Sequence, residues 1–344
     1  MSMTTDLLDM NGGLTPEQDL VFPEAPASPE MRESVSIWLY EENGAFGFPR
    51  LAIEAVGADW SDRGVQANFA FRDGRVLNGS GQGAAPPVAG PDGRPSVIGG
   101  GPLTFRCQEP FRRWTAAFHG TAADLHVDDQ IANTADYSRR IPVRLEVEMT
   151  MVTPPWVQGA LLKAAADRLG EVEGGFMGGF RYEHLFRAQG TFEVDGQNRP
   201  FKGTGLRIHR QGVRQMDGFW GHCWQSAVFP SGRAFGYIAY PPRADGSESY
   251  NEGYLYQDGR LIPAKVTKAP WLTRLVGSGD DASLEFESEL GRTVIEGESA
   301  LSTFLVGSSS MPGLNLQQGG ALYRWNGESA YGMLERSYPP AAKG

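Results

Sequence analysis

The sequence is poor in cysteine, in histidine and in positive charge, and it holds no long apolar run. Its two cysteines, Cys107 and Cys223, are too few for a disulfide framework or a cysteine-rich zinc site, and they read as buried small hydrophobes. The five histidines, at 119, 126, 184, 209 and 222, include no close pair at metal-ligand spacing, so no metal is expected. With 41 acidic against 31 basic side chains the formal net charge is −10, which leaves no cationic surface for phosphates and disfavours nucleic acid as a partner. No stretch reaches the roughly 18 apolar residues needed to span a bilayer. The opening MSMTTDLLDMNGG has neither the basic region nor the apolar core of a secretory signal, so no membrane span and a cytoplasmic location are expected. Without such a signal the sequon Asn78-Gly79-Ser80 reads as a turn.

Cofactor and nucleophile motifs are missing too. Gly203-Thr204-Gly205 is followed by Ile208 where a dinucleotide fingerprint needs its third glycine, and neither a P-loop nor an HExxH occurs. Gly327-Glu328-Ser329-Ala330-Tyr331 fails the GxSxG elbow at its last position, and that elbow belongs to a strand-to-helix turn. No cofactor is expected.

What the chain has in excess is glycine and proline, 45 and 23 of them, about a fifth of the residues, while 40% remain hydrophobic. Many turns between short strands account for both figures better than a helical bundle or disorder does. Asp-Gly recurs at 73, 92, 195, 217, 245 and 258 and Asn-Gly at 43, 78 and 326, the dipeptides that accept positive φ in tight hairpins. Val143 to Met151 alternates without a fault, with Val143, Leu145, Val147, Met149 and Met151 on one face and Arg144, Glu146, Glu148 and Thr150 on the other. Leu284 to Leu290 does the same with an acidic outer face.

One segment departs from this period. Val157 to Leu169 places apolar residues at 157, 160, 161, 164 and 165 and stops at Gly170, the pattern of a short amphipathic helix. A proline pair precedes it and a glycine-rich stretch, 173–179, follows, which marks a domain junction. The expected organisation is an extended arm over residues 1–32, a β-domain over 33–175 ending in the helix, and a second β-domain over 176–344. Each would be a closed antiparallel barrel or sandwich, with a cavity inside one of them or between the two.

The densest polar and aromatic stretch runs from Arg207 to Gln225. If 219–228 is a strand, Trp220, His222 and Trp224 share a face and hold an imidazole between two indoles, which suits proton transfer with cation-π stabilisation of a cationic intermediate. A buried neutral histidine bonded to a carbonyl explains the same pattern. Tyr182, His184 and Phe186 share one face of a strand whose other face carries Arg181, Glu183 and Arg187, and core packing is the simpler role for that histidine. His119 and His126 belong to a solvated turn region. Glu335 falls with Tyr331 and Met333, and its pKa is raised if it is buried without a cation, as suits a general acid; an ion pair with Arg324 or Arg336 is the alternative.

These stretches also resemble a family. Ser34 to Tyr40, Glu109 to Trp114, Thr153 to Trp156, Tyr182-Glu183, Gly203 to Arg214 and Gly332 to Ser337 resemble, in the same order, segments of the hydroxyneurosporene synthase-like (carotenoid 1,2-hydratase-like, AttH-like) proteins, over about residues 33 to 337. The resemblance implies a mainly β fold of two tandem lipocalin-like antiparallel β-barrel domains. It also implies cofactor-independent hydratases, cyclases or isomerases of hydrophobic substrates. Against the family's Arg-Asp-His-Ser-Trp-Gly-x-Arg signature, Arg207, His209, Gly212 and Arg214 match, while Ile208, Arg210 and Gln211 depart from it, so a carboxylate partner for His209 must come from Asp217, Glu183 or Glu335.

The expected function is therefore a cofactor-free lyase or isomerase, of hydratase, dehydratase or cyclase type, acting on a terpenoid, steroid or polyketide. His209 or His222 moves the proton and Asp217 or Glu335 orients it. Arg207 or Arg214 anchors a substrate oxygen, and Trp38, Tyr182, Glu183, His184, Trp220 and Trp224 line the pocket. The rival is a non-catalytic carrier with a ligand in an apolar barrel. Whether the chain forms a homodimer stays open.

Overall fold

The computed structural model describes residues 9–307 and 313–338. The first twelve strands are β1 (Arg32–Glu41), β2 (Phe46–Val56), β3 (Asp59–Phe71), β4 (Arg75–Asn78), β5 (Gly81–Ala84), β6 (Val97–Gly100), β7 (Leu103–Glu109), β8 (Arg113–His126), β9 (Arg140–Met151), β10 (Trp156–Val157), β11 (Phe180–Val194) and β12 (Gln197–Gly212). Three short helices interrupt them: α1 (Val127–Ala132), α2 (Lys163–Leu169) and α3 (Val172–Met177). The remaining strands are β13 (His222–Val228), β14 (Ala234–Ala239), β15 (Asn251–Gln257), β16 (Arg260–Lys268), β17 (Leu284–Ser288), β18 (Gly291–Leu305), β19 (Asn315–Trp325) and β20 (Glu328–Tyr338).

Antiparallel pairing joins β1 to β2, β3, β4, β8, β9, β11 and β12 in turn, and β12 returns to β1, closing an eight-stranded barrel. Strands β13 to β20 close a second one in simple up-and-down order. Closure leaves no long free edge. The fold is two tandem barrels, as the turn pattern implied, and three of the expected dipeptides make the tightest hairpins. Asp195-Gly196, Asp258-Gly259 and Asn326-Gly327 all have positive φ at both residues, as a type I′ turn requires.

The domain boundary needs correcting. Strands β11 and β12 follow the helical segment and still belong to the first barrel, so the division expected after residue 175 falls between Gly212 and His222. Helices α2 and α3 are an excursion between β10 and β11, not a link between barrels. Residues 173–179, expected to be a glycine stretch, form α3 and its αL cap at Gly178. Helix α2 starts at Lys163 and not at Val157, because the Glu252 carboxylate on β15 captures the backbone N–H groups of Gly159, Leu161 and Leu162 at 2.6 to 3.0 Å in a turn. Glu252 also accepts from Trp156 Nε1 and Tyr250 Oη, so one carboxylate ties this excursion to the second barrel.

The arm is not merely extended. Its first eight residues lie outside the described ones, but Pro16–Asp19 forms a 3₁₀ turn that buries Asp19 completely, and Leu20 and Val21 join the core of the first barrel. Both barrel interiors are filled by side chains. Phe46, Phe48, Phe69, Phe118, Phe192 and Phe201 stack in the first, and Phe235, Phe286, Tyr237 and Tyr323 in the second. A further apolar layer lies between the barrels, where Trp38, Tyr40, Leu206 and Ile208 pack with Trp224, Val228, Ile238 and Met333. Polar bonds cross the same interface from Tyr40 Oη to the Gly319 carbonyl and from Asn68 Nδ2 to Gln318 Oε1.

Candidate active site

Alternation on the facing strands decides what reaches the space between the barrels. On β1 and β12 the residues pointing away from the first lumen include Ser36, Trp38, Ile208 and Arg210, and on β13 and β20 they include His222, Trp224 and Glu335. These line a cavity of about 60 Å³, together with Arg50, Arg181, Arg214, Phe176, Met177, Phe219, Ile238, Tyr240 and Leu316. The register pairs His222 with Ser337 and Trp224 with Glu335, so the imidazole meets both side chains of the neighbouring strand. His222 Nε2 is 3.2 Å from Glu335 Oε1, and Nδ1 is 2.7 Å from Ser337 Oγ. Glu335 Oε2 accepts from Gln318 Nε2 at 2.8 Å and lies 4.0 Å from Arg50.

Burial raises the Glu335 pKa, but the hydrogen bond from His222 and the charge of Arg50 outweigh it and hold the carboxyl down at about 2. The raised pKa expected for Glu335 is thus corrected, as is its pairing with Arg324 or Arg336. It is an ionised acceptor, so His222 presents its Nε2–H to it. Glu183 behaves in the opposite way. Its burial dominates over Arg181 at 2.8 Å and the Trp224 Nε1–H at 3.2 Å, and its pKa rises to about 7.

The arginines were the less expected part. A bulge in β2 between Gly47 and Leu51 puts Arg50 at φ +84 and turns its guanidinium over the Trp38 ring at 5.4 Å. Arg181 covers the Trp224 ring at 4.8 Å, and the two indoles meet edge to face at 4.7 Å. Trp224, one of the two indoles expected to stabilise a substrate cation, and Trp38 of the expected wall therefore already hold protein cations, and the field in the cavity is positive.

Other expected site residues lie elsewhere. Tyr182, His184, Arg207 and His209 point into the first barrel, where Asp19 of the arm accepts from Arg207 (2.5 Å), Trp114 Nε1 (2.9 Å), the Phe111 N–H and Tyr182 Oη. His209 bridges Tyr182 Oη and Glu33 at 3.1 and 3.0 Å. This network is buried under the arm, with Arg207 Nε and Nη1 and His184 Nε2 left without a partner among the described residues, and Asp19 and Glu33 are its carboxylates in place of Asp217, Glu183 or Glu335. Asp217 is exposed in the turn ending at Gly218. Trp220 precedes the strand and packs against Phe176 and Tyr240, so Phe219, not a second indole, is the ring beside His222, at 5.7 Å. Among the described residues no group of three or more His, Cys, Asp or Glu could hold a metal ion, and no helix is long and apolar enough to cross a membrane.

A family model described as a domain of unknown function, DUF7064, matches residues 15–340. The chain belongs to the DUF7064 family. No curated protein matches this sequence. Among solved structures, an AttH-named protein of Nitrosomonas europaea is 15% identical over 92% of this chain and 98% of that one, with a TM-score of 0.57. CghA, solved with Sch210972, is 14% identical over 93% of each chain, with a TM-score of 0.53. At such identities the likeness is one of fold, and it spans both barrels of the DUF7064 chain. The AttH-like resemblance read from the motifs thus holds for the architecture.

Sequence reasoning missed Asp19, Arg50, Arg181 and Arg210 in this DUF7064 protein. A signal for the first existed, since Thr15-Pro16-Glu17-Gln18 is a capping-box sequence and the structure forms that box. Arg210 was legible as an outward neighbour of Ile208 on an alternating strand.

Proposed function

We propose that this DUF7064 protein is a cofactor-independent lyase or isomerase that moves a proton on a small hydrophobic molecule between the two barrels, with water addition or elimination as the favoured form. The observation carrying this reading is the buried His222–Glu335 pair at the wall of a cavity lined by aromatic, aliphatic and arginine side chains. His222 is the proton carrier, and ionised Glu335 orients it and stabilises its imidazolium form. The surrounding guanidiniums disfavour a carbocation and suit negative charge developing on a substrate oxygen. The transition state is therefore enolate-like, with the proton removed from, or returned to, the carbon beside a carbonyl, and Arg50 nearest the oxygen.

The cavity alone holds about two water molecules, whereas small-molecule sites run to roughly 300 Å³ or more. An open groove of about 410 Å³ on the outer face of β1 to β3 shares Ser36 and Arg50 with it. The body of the substrate lies in that groove, with its reactive end at His222. A carrier would need room in a barrel interior, and both interiors are packed with aromatic side chains. The fold likeness to CghA, solved with a small molecule, lends the ligand-binding reading further support.

The test has two stages. Native mass spectrometry of the protein purified from its own host identifies a retained ligand, and deuterium uptake from D₂O into that ligand is then followed with the wild type and with His222→Gln and Glu335→Gln. Uptake falls by about 10²- to 10⁴-fold in His222→Gln and by less in Glu335→Gln. Undiminished exchange in His222→Gln would sink the proton-transfer reading.

A further inference from the structure

Four arginines, Arg50, Arg181, Arg210 and Arg214, line one small cavity, and their commitments differ. Arg181 is paired with Glu183 at 2.8 Å, and Arg50 lies 4.0 Å from Glu335. Arg214 donates its Nε–H to the Phe176 carbonyl and meets no described carboxylate in an ion pair. Arg210 is only 8% exposed, its Nε has no partner, and it makes neither a hydrogen bond nor an ion pair with any described residue. The carboxylate on the groove side, Glu54, is already bound by Arg32. A buried guanidinium without an acceptor is costly, and a protein keeps one where a ligand supplies the missing charge.

Local geometry has made room for this pair. Gly178 has φ +78, and a Cβ there would meet Arg210 Cδ at 2.9 Å and Arg214 Cβ at 3.0 Å, so both arginine stems pass this one glycine. Around the guanidiniums the wall is Trp38, Phe176, Ile208, Phe219 and Ile238. Planar guanidiniums in a small, largely apolar-walled site match a carboxylate, which they can grip in bidentate fashion and which loses its water more readily than a doubly charged phosphate.

We infer that Arg210, with Arg214 beside it, binds the carboxylate of a hydrophobic acid in the cavity between the barrels. This names the substrate class of the site proposed above and rests on that reading only for the ligand being turned over. Arg50, at Glu335, remains for the reacting oxygen, so the ligand carries its carboxylate apart from the carbon that exchanges its proton.

Binding is measured by tryptophan fluorescence, since Trp38 and Trp224 lie in the wall, with decanoate, decanol and decyl phosphate as probes. Decanoate binds at least about tenfold more tightly than decanol, the effect of one charge-assisted bidentate contact. The preference is lost in Arg210→Gln, weakened in Arg214→Gln, and kept in Arg260→Gln, which changes an exposed arginine of the second barrel. Thermal melts show which variants are folded, and Arg214→Gln carries the test if Arg210→Gln is not. Equal affinity for decanoate and decanol overturns the inference, as does a preference that survives in the folded variants. Tighter binding of decyl phosphate overturns the choice of carboxylate. His222→Gln keeps decanoate binding, so loss of exchange in that variant together with intact binding separates the anion site from the proton-transfer reading, and either can fail without the other.

Discussion

Two polar clusters in this molecule draw on the same residue types and come to opposite ends. Inside the first barrel, Asp19, Glu33, Arg207, His209, Tyr182 and Trp114 meet one another under the arm, and Asp19 alone receives four hydrogen bonds from nitrogen and oxygen donors. Between the barrels, Glu335, His222, Trp38, Trp224 and four arginines surround a cavity, and Arg210 has no acceptor among the described residues. A histidine next to a carboxylate in an aromatic setting therefore does not distinguish structure from function. Unpartnered guanidinium nitrogens do not distinguish them either, since Arg207 keeps two; a cation with no carboxylate beside open space does.

The largest effect should come from breaking the cluster inside the first barrel. Asp19→Ala leaves Arg207 charged and fully buried with no carboxylate, a change that costs about 3–5 kcal/mol. In urea unfolding the midpoint falls sharply with the slope retained, whereas the same readout on Glu335→Gln moves much less, because water from the adjoining cavity can replace a lost bond there. An Asp19→Ala protein as stable as the wild type would mean that the arm is an ornament and the contrast between the clusters false.

A smaller effect sharpens the comparison through pH. In the first barrel, burial and the charge of Arg207 depress His184 from 6.5 to about 3, so between those values the unfolded chain binds a proton that the folded one refuses, and stability falls as pH falls. At the other cluster, burial raises Glu183 from 4.5 to about 7, so between those values the folded chain holds the proton, and stability falls as pH rises. From pH 4.5 to 6.5 the two slopes oppose each other, each at about 1.4 kcal/mol per pH unit. Glu183→Gln removes one of them. Unfolding free energies of that variant from urea titration should fall by this increment per pH unit relative to wild type as the solution is acidified from 6.5 to 4.5, and its midpoint should fall with them. A variant whose midpoint runs parallel to the wild type would show that Glu183 has no raised pKa.

The β-architecture was legible because it is written locally. Alternation placed Val143 to Met151 of β9 on their true faces, and the Asp-Gly and Asn-Gly pairs gave the positive φ at both turn residues of three hairpins. The boundary was not legible, because a proline pair and a glycine run mark an excursion from a barrel as well as they mark a linker. In the site, His222 and Trp224 were found by face and Glu335 by its neighbours, yet their meeting depends on pairing strands more than a hundred residues apart. His209 was chosen on the strength of a motif whose strand does carry it inward, into the wrong compartment. Arg50 was invisible, since only a bulge aims it at the cavity.

The smallest expected effect concerns Asp217, which proximity in sequence to His222 made a candidate orienting group. Its turn is exposed, with Gly218 at φ +76 beside it. Carboxylates assist a histidine through a short, enclosed hydrogen bond, and the carboxylate within such reach of His222 is Glu335, at 3.2 Å. Asp217→Asn should therefore leave deuterium exchange into the bound ligand unchanged and shift the thermal midpoint by less than about 2 °C. Such a result beside a large loss in His222→Gln separates residues that share a stretch of sequence from residues that share a cavity, whereas a matching loss in Asp217→Asn would bring the 213–221 loop into the site.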